Sequence, residues 1–216
     1  MNGFFITFEG IDFSGKTTQA NLLISALQRH GIDFIFVREP GGTHISEDIR
    51  NILLDPQNEI MYPRTELLLY AAARAQIVEE VIRPALAENK VVICDRYADS
   101  TAAYQGFGRE QDQADIANAI SLATKNLVPH LTLLFDISLQ TAHKRFIASG
   151  QSADRMEAEK DAFRNRVRNG YHIIANRDHD RVVLLNAEKS VEDLQKEVWR
   201  IFIERANTIN FQVEVN

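Results

Sequence analysis

A chain of 216 residues with 45% hydrophobic and 25% charged residues carries the apolar material for one sizeable globular core. Its formal charge of -6 argues against nonspecific nucleic-acid binding, although a local basic cluster could still hold phosphates. One cysteine, Cys94, excludes an intrachain disulfide framework and fits a reducing compartment, and no stretch approaches the ~20 apolar residues of a membrane helix.

Short apolar runs alternate with long helical patterns. Residues 3–9 form the first strand candidate; no basic, then apolar, leader pattern precedes it, so a cytoplasmic location is expected. Further strands are expected at 33–37, 90–94, 131–136 and 181–186, rich in Val, Ile, Phe and Leu without clean alternation, as when both faces of a parallel sheet are covered. Helices are expected at 16–30, 44–54, 64–88, 112–126, 138–148, 156–177 and 190–206. The 64–88 pattern follows Pro63, and Pro84 within it predicts a kink or an early end. The polar piece 149–154 reads as a mobile loop. The tail 207–216 alternates around Phe211-Gln212-Val213-Glu214-Val215, which fits an edge strand, a partner contact or disorder equally.

Residues 10–17, Gly10-Ile11-Asp12-Phe13-Ser14-Gly15-Lys16-Thr17, match G-x-x-x-x-G-K-[ST] between an apolar strand and a helix that continues through Thr18. That context is what a phosphate loop requires: glycines let backbone N–H groups close around phosphates, and the helix start adds positive charge. Lys16 is expected on the β- and γ-phosphates of a nucleoside triphosphate, with the Thr17 hydroxyl on Mg²⁺. Val91-Val92-Ile93-Cys94-Asp95 ends an apolar strand in a carboxylate, as a second Mg²⁺ ligand would; alone it reads equally well as a turn or cap. Together these predict an α/β, three-layer P-loop NTPase-type fold, with a five-stranded parallel sheet flanked by helices and a mobile lid. One domain spans 1–206, with the lid at about 148–156.

A phosphate loop leaves the phosphoryl acceptor open. Asn89-Lys90-Val91-Val92 lacks the Asp of a guanine-reading segment and Thr124-Lys125-Asn126-Leu127 does not fit one, so a GTPase is disfavoured. Three clusters point to a kinase of an anionic acceptor. Arg38-Glu39-Pro40-Gly41-Gly42-Thr43 follows the second strand. Tyr70 and Arg74 share one helix face, an aromatic plane beside a bidentate donor. Asp95-Arg96-Tyr97 ends the third strand, with Ser100, Thr101, Tyr104 and Gln105 close behind. Each has a plain structural alternative, such as a surface ion pair or helix packing; their convergence on one end of the sheet argues for function.

Over nearly its whole length the chain resembles the thymidylate kinase family. The resemblance rests on Phe8-Glu9-Gly10-Ile11-Asp12, Gly15-Lys16-Thr17-Thr18-Gln19 and 38–43, then on 67–76 (LLLYAAARAQ) and 95–106 (DRYADSTAAYQG), in family order and spacing. It implies ATP and dTMP as substrates, Mg²⁺ as cofactor and a homodimer. Tyr70 would stack on thymine and Arg74 bond its carbonyl. Thr101 would meet the base edge, and Tyr104 would crowd the sugar's 2′ position. Asp12 would approach the monophosphate; Arg38, Arg50 and Arg96 would clamp it, with Pro40, Ser100 and Gln105 alongside. Glu39 and Asp95 would organise the Mg²⁺ shell. Arg145, Asn186 and Ala187 would line the adenine side.

A phosphate monoester acceptor is largely dianionic at pH 7, its second pKa lying near ~6, and needs no general base. Alignment and charge neutralisation are then the expected means of catalysis. Asp12-Phe13-Ser14 lacks the arginine that some family members carry in the loop, so the resemblance shifts the transition-state cation to the lid, where Arg155 is the candidate. A kinase of another nucleotide or of a deoxynucleoside and a non-catalytic nucleotide switch remain rival readings; residues 38–43 weaken the deoxynucleoside reading, and Lys16, Thr17, Asp95 and the acceptor-side arginines together weaken the switch.

Overall fold

The computed structural model describes residues 3–211. Five strands, β1 (Phe4–Glu9), β2 (Phe34–Arg38), β3 (Val91–Asp95), β4 (Leu131–Asp136) and β5 (Val182–Asn186), form one parallel sheet in the order β2-β3-β1-β4-β5. All five lie where the apolar runs predicted them. Strand periodicity sorts the side chains of β1 onto two faces: Phe4, Ile6 and Phe8 enter one core cluster, Phe5 the other. Cys94 is buried in the second cluster, as a strand thiol. In register, Phe8 and Arg38 both pair with Asp95, so the carboxyl ends of β1, β2 and β3 release residues 9–12, 38–40 and 95–97 side by side.

The helices are α1 (Lys16–Arg29), α2 (His44–Leu54), α3 (Pro63–Ile77), α4 (Arg83–Ala87), α5 (Ala98–Thr101), α6 (Gln113–Thr124), α7 (Leu139–Ser149), α8 (Asp161–Arg177) and α9 (Val191–Thr208). The pattern at 64–88 resolves into α3, a π-helical turn at Val78–Ile82, and α4. Pro84 causes the interruption: it has no N–H to donate, and a wider turn moves the preceding carbonyl off its ring. A second π-helical stretch, Ala102–Gly108, continues α5 and carries Tyr104 and Gln105.

Two helical expectations need correction. Residues 98–108 are helical although their sequence lacks an amphipathic repeat. The cap comes from another strand: the Glu9 carboxylate accepts from the backbone N–H of Tyr97 at 2.7 Å and of Ser100 at 3.3 Å. Conversely, α8 begins at 161 rather than 156. The Asp154 carboxylate accepts from Met156 and Glu157 N–H, both at 2.8 Å, and holds these residues in a turn before the helix. The tail Phe211–Val215 lies outside the described residues apart from Phe211, which packs against Phe4 with ring centroids 5.8 Å apart.

Helix α8 lies close against 102–108 because two glycines let it. A Cβ on Gly170 would come within 2.6 Å of the Phe107 ring, and one on Gly108 within 2.7 Å of Phe163. This approach brings Tyr171 of α8 beneath the ligand end of β1. Gly170→Ala is therefore expected to destabilise by about 1–3 kcal/mol through overpacking, read as a lower urea midpoint at unchanged slope.

Candidate active site

The loop after β1 is shaped by its backbone. Gly10 adopts φ 135°, and a Cβ there would sit 2.4 Å from the Phe135 carbonyl oxygen. Gly15, at φ 93°, turns the chain into α1. Lys16 curls back, its Nζ donating to the carbonyls of Gly10 at 3.1 Å and Ile11 at 2.9 Å. Burial, reinforced by repulsion from Arg96, pulls the Lys16 ammonium down to about 8. A phosphate against it would push that value back up. Thr17 Oγ1 donates to Asp95 Oδ2 at 2.7 Å, so the two expected metal ligands are adjacent.

A cleft of about 660 Å³ opens over this loop. Asp12, Phe13, Ser14, Gly15, Lys16, Thr17 and Thr18 form its floor, with Arg38, Arg50, Arg96 and Arg145 around it. Gly10 and Ile11 lie under the floor rather than on it. Arg145 ties the loop to the far wall, donating to Phe13 O at 3.1 Å and Ala187 O at 2.9 Å. Ala187 lines the cleft, whereas Asn186 stands behind and turns the chain by accepting from Glu188 N–H at 3.0 Å.

A second pocket of about 150 Å³ adjoins the first. Asp12, Glu39, Pro40, Arg50, Tyr70 and Arg74 line it, joined by Arg96, Ser100, Thr101, Tyr104 and Gln105. Eleven of the twelve residues expected on the acceptor side therefore converge here. The twelfth, Arg38, faces the larger cleft and is held there by Glu47 at 3.0 Å. Arg74 is almost fully buried and reaches Glu39 at 2.7 Å, Thr101 Oγ1 at 2.8 Å and the Tyr97 carbonyl at 2.9 Å. Those bonds fix the guanidinium plane. One Glu39 oxygen, Oε2, is committed to Arg74 while the residue borders both cavities; Asp95 is the carboxylate beside Thr17.

Both cavities meet at Arg96. Its φ of 70° is unusual for a residue with a side chain and turns the guanidinium back over β1. Nη2 pairs with Asp12, while Nη1 donates to Gly10 O at 3.0 Å and to the Ser100 and Tyr171 hydroxyls at 3.2 and 3.3 Å. The guanidinium also lies 5.1 Å from the Tyr104 ring centroid, and Tyr104 donates to Asp12 at 3.2 Å. Burial alone would raise the Asp12 carboxyl; Arg96 and Lys16 outweigh it and hold the group below its usual range.

The lid departs from expectation. Arg155 lines neither cavity: its Nε donates to Leu53 O at 2.6 Å, and Nη1 pairs with Glu66 at 2.7 Å. Glu66, only 1% exposed, also takes two bonds from Arg109 at 3.1 and 3.0 Å. A buried carboxylate requires such partners, and here two arginines serve it. Asp154 and Met156 of the lid instead face the smaller pocket, and Glu157 borders both cavities. Glu9, Glu66, Arg109, Glu157 and Tyr171 were not singled out from sequence. Only Glu9, ending a mostly apolar strand at the phosphate loop, carried a visible signal.

A family model described as thymidylate kinase matches residues 8–198. A thymidylate kinase of an Exiguobacterium strain is 45% identical over 205 residues, covering 95% of this chain and 96% of the relative. One from Geotalea uraniireducens is 45% identical over 94% of this chain and 98% of its own. Among solved structures, thymidylate kinase from Ehrlichia chaffeensis aligns with TM-score 0.75 at 32% identity, covering 94% of this chain and 99% of that one.

Arg155→Ala should cost about 1–3 kcal/mol of stability, less than the loss of a sole buried partner because Arg109 still serves Glu66. Chemical denaturation measures this. A thousandfold fall in kcat at unchanged stability would return Arg155 to the transition state.

Proposed function

The chain belongs to the thymidylate kinase family, and from that membership we propose that it transfers the γ-phosphoryl group of ATP to dTMP, yielding dTDP and ADP in the supply of dTTP. The observation that carries the reading is the junction at Arg96: a triphosphate-sized cleft and a base-sized pocket meet there, with Arg96 and Arg50 bordering both. ATP would lie in the larger cleft with its phosphates on residues 13–18 and its base toward Arg145 and Ala187. The thymine ring would enter the smaller pocket beside Tyr70, with Arg74 and Thr101 at its edge and Tyr104 against C2′ of the sugar. Asp12 and Arg50 border both spaces, as expected of groups flanking the transfer path.

The reaction forms one P–O bond to the acceptor phosphate oxygen and breaks the bond between the γ-phosphorus and the β,γ-bridging oxygen. No proton need leave the dianionic acceptor, so the protein's task is to hold two anions in line. Lys16 neutralises the donor phosphates, Arg96 and Arg50 draw in the acceptor, and Arg38 adds positive charge at the rim. The donor set near Thr17 suits Mg²⁺, which favours hard oxygen ligands and keeps several waters, needing only one or two carboxylates beside substrate phosphates. Thr17 and Asp95 would hold it, and it would neutralise charge on the β- and γ-phosphoryl oxygens. The family's homodimeric state is part of the same proposal. Exposed Ile45 and Ile52 of α2, Leu68 of α3 and Leu122 of α6 offer the apolar surface for it. A cytoplasmic site of action also belongs to it.

A coupled ADP-release assay with dTMP, dUMP, dCMP, AMP and thymidine as acceptors tests the reading. The highest kcat/KM is expected with dTMP. Turnover that ignores the acceptor, or a preference for thymidine, would overturn it. Arg96→Ala is expected to lower kcat/KM for dTMP by about 10²–10³-fold while leaving ATP binding within about threefold.

A further inference from the structure

Beneath Arg96 lies a buried cluster that the transfer reaction does not itself use. Glu9 is completely buried at the end of β1. One carboxylate oxygen, Oε1, accepts the Tyr97 and Ser100 N–H groups. The other, Oε2, lies 2.6 Å from Ser100 Oγ and 2.9 Å from the Tyr171 hydroxyl, which are themselves 2.8 Å apart. Three oxygens therefore form a closed triangle of hydrogen-bond contacts. An ionised Glu9 leaves only the two hydroxyl protons for three edges, so one short O···O contact has no hydrogen. A third proton, on Glu9, completes the ring.

We propose that Glu9 is a positioning residue that holds a proton in the working enzyme, closing this three-membered hydrogen-bond ring so that Ser100 and Tyr171 turn their lone pairs to Arg96 and aim it at the acceptor phosphate. Arg96 Nη1 divides its protons between Gly10 O and this hydroxyl pair, and Nη2 gives one to Asp12. Among the described residues, Nε–H and the second Nη2 proton have no protein acceptor, leaving two donors for an anion. Neutral Glu9 supports this arrangement without setting a second carboxylate charge beside the cation.

The charged groups around Glu9 agree. Burial and then the carboxylate of Asp99, itself paired with Arg181 at 2.7 Å, push Glu9 up to about 7 against the pull of Ser100, Arg96 and the Tyr97 N–H. Lys16 of α1 and Arg74 of α3 also sense its charge. Because the folded-state value is raised, the protonated carboxyl favours the folded state. That contribution is full below the unfolded value near 4.5 and is lost as pH rises through about 7. A dianionic acceptor on Arg96 would raise Glu9 further, so binding should take up a proton.

The proposal rests on dTMP being the ligand at Arg96, and the experiment separates the two claims. Binding of dTMP to the wild-type enzyme and to Glu9→Gln is measured at pH 7.5 by calorimetry in buffers of different ionisation enthalpy. The wild type should take up a larger fraction of a proton per dTMP than E9Q; equal uptake overturns the proposal. The acceptor's own proton cancels in this comparison. Gln, which can donate where the acid did, should retain about tenfold more kcat/KM for dTMP than Ala at this position; equal losses would mean that the carboxylate charge is what matters. Without any substrate, the stability of wild type relative to E9Q should fall between pH 4.5 and 7 and then level off. A pH-independent difference overturns the proposal even if dTMP proves not to be the substrate. Should E9Q not fold, Tyr171→Phe removes one oxygen from the triangle and should lower the proton uptake per dTMP below that of the wild type; unchanged uptake in Y171F overturns the ring.

Discussion

The site is organised by the need to keep one partly buried guanidinium, that of Arg96, satisfied. A cation largely withdrawn from water is tolerable only when paired and hydrogen-bonded, and Arg96 draws its partners from three separate parts of the chain. Gly10 and Asp12 come from the loop after β1, Ser100 from α5, Tyr171 from α8. Each constrains more than Arg96. Glycine at position 10 allows its carbonyl to reach Arg96 while also accepting from Lys16. Close packing of α8 on the 102–108 segment, permitted by Gly170 and Gly108, delivers Tyr171. The left-handed backbone at Arg96 is a local cost of about 1–3 kcal/mol that this set of partners maintains.

Much of this was legible beforehand, and the reason differs by element. The parallel sheet was readable because its strands are apolar runs: the three central ones are buried on both faces, and the partly exposed edge strands β2 and β5 keep the same composition. The phosphate loop was readable because its chemistry resides in contiguous residues. Most residues expected on the acceptor side could be named because four short motifs keep their order, and one pocket brings together all but Arg38 of the expected set. The helix at 98–108 was invisible because its cap, Glu9, lies about ninety residues earlier in the chain. Tyr171 was invisible for a related reason: on sequence it is one aromatic on an amphipathic helix, and only the packing of that helix gives it a role.

Arg155 is where the structure departs most from the lid expectation. The inference that a cation absent from the phosphate loop must be supplied by the lid treats the lid arginine as free. It overlooked Glu66, an acid on the acceptor-side helix α3 with 1% exposure, whose demand for counter-charge is met by Arg109 and Arg155 together. Charge balance in the interior, rather than catalytic need, decides where that side chain goes.

For the proposed transfer, this places the positive charge in the core rather than in the lid. Lys16, Arg38, Arg50 and Arg96 all border the larger cleft, and each is rooted in, or directly beside, a strand or helix of the core rather than in the lid. Groups held by packing and by short hydrogen bonds need little reorganisation when charge shifts between donor and acceptor, which is where electrostatic catalysis gains most. The lid presents carboxylates to the same space: Asp154 to the smaller pocket, and Glu157 to both. Negative groups on a covering loop cannot stabilise a migrating phosphoryl group by their charge. Their contribution would instead lie in excluding water and in opposing idle binding of a second anion, while the positive field that aligns the substrates stays fixed in the core.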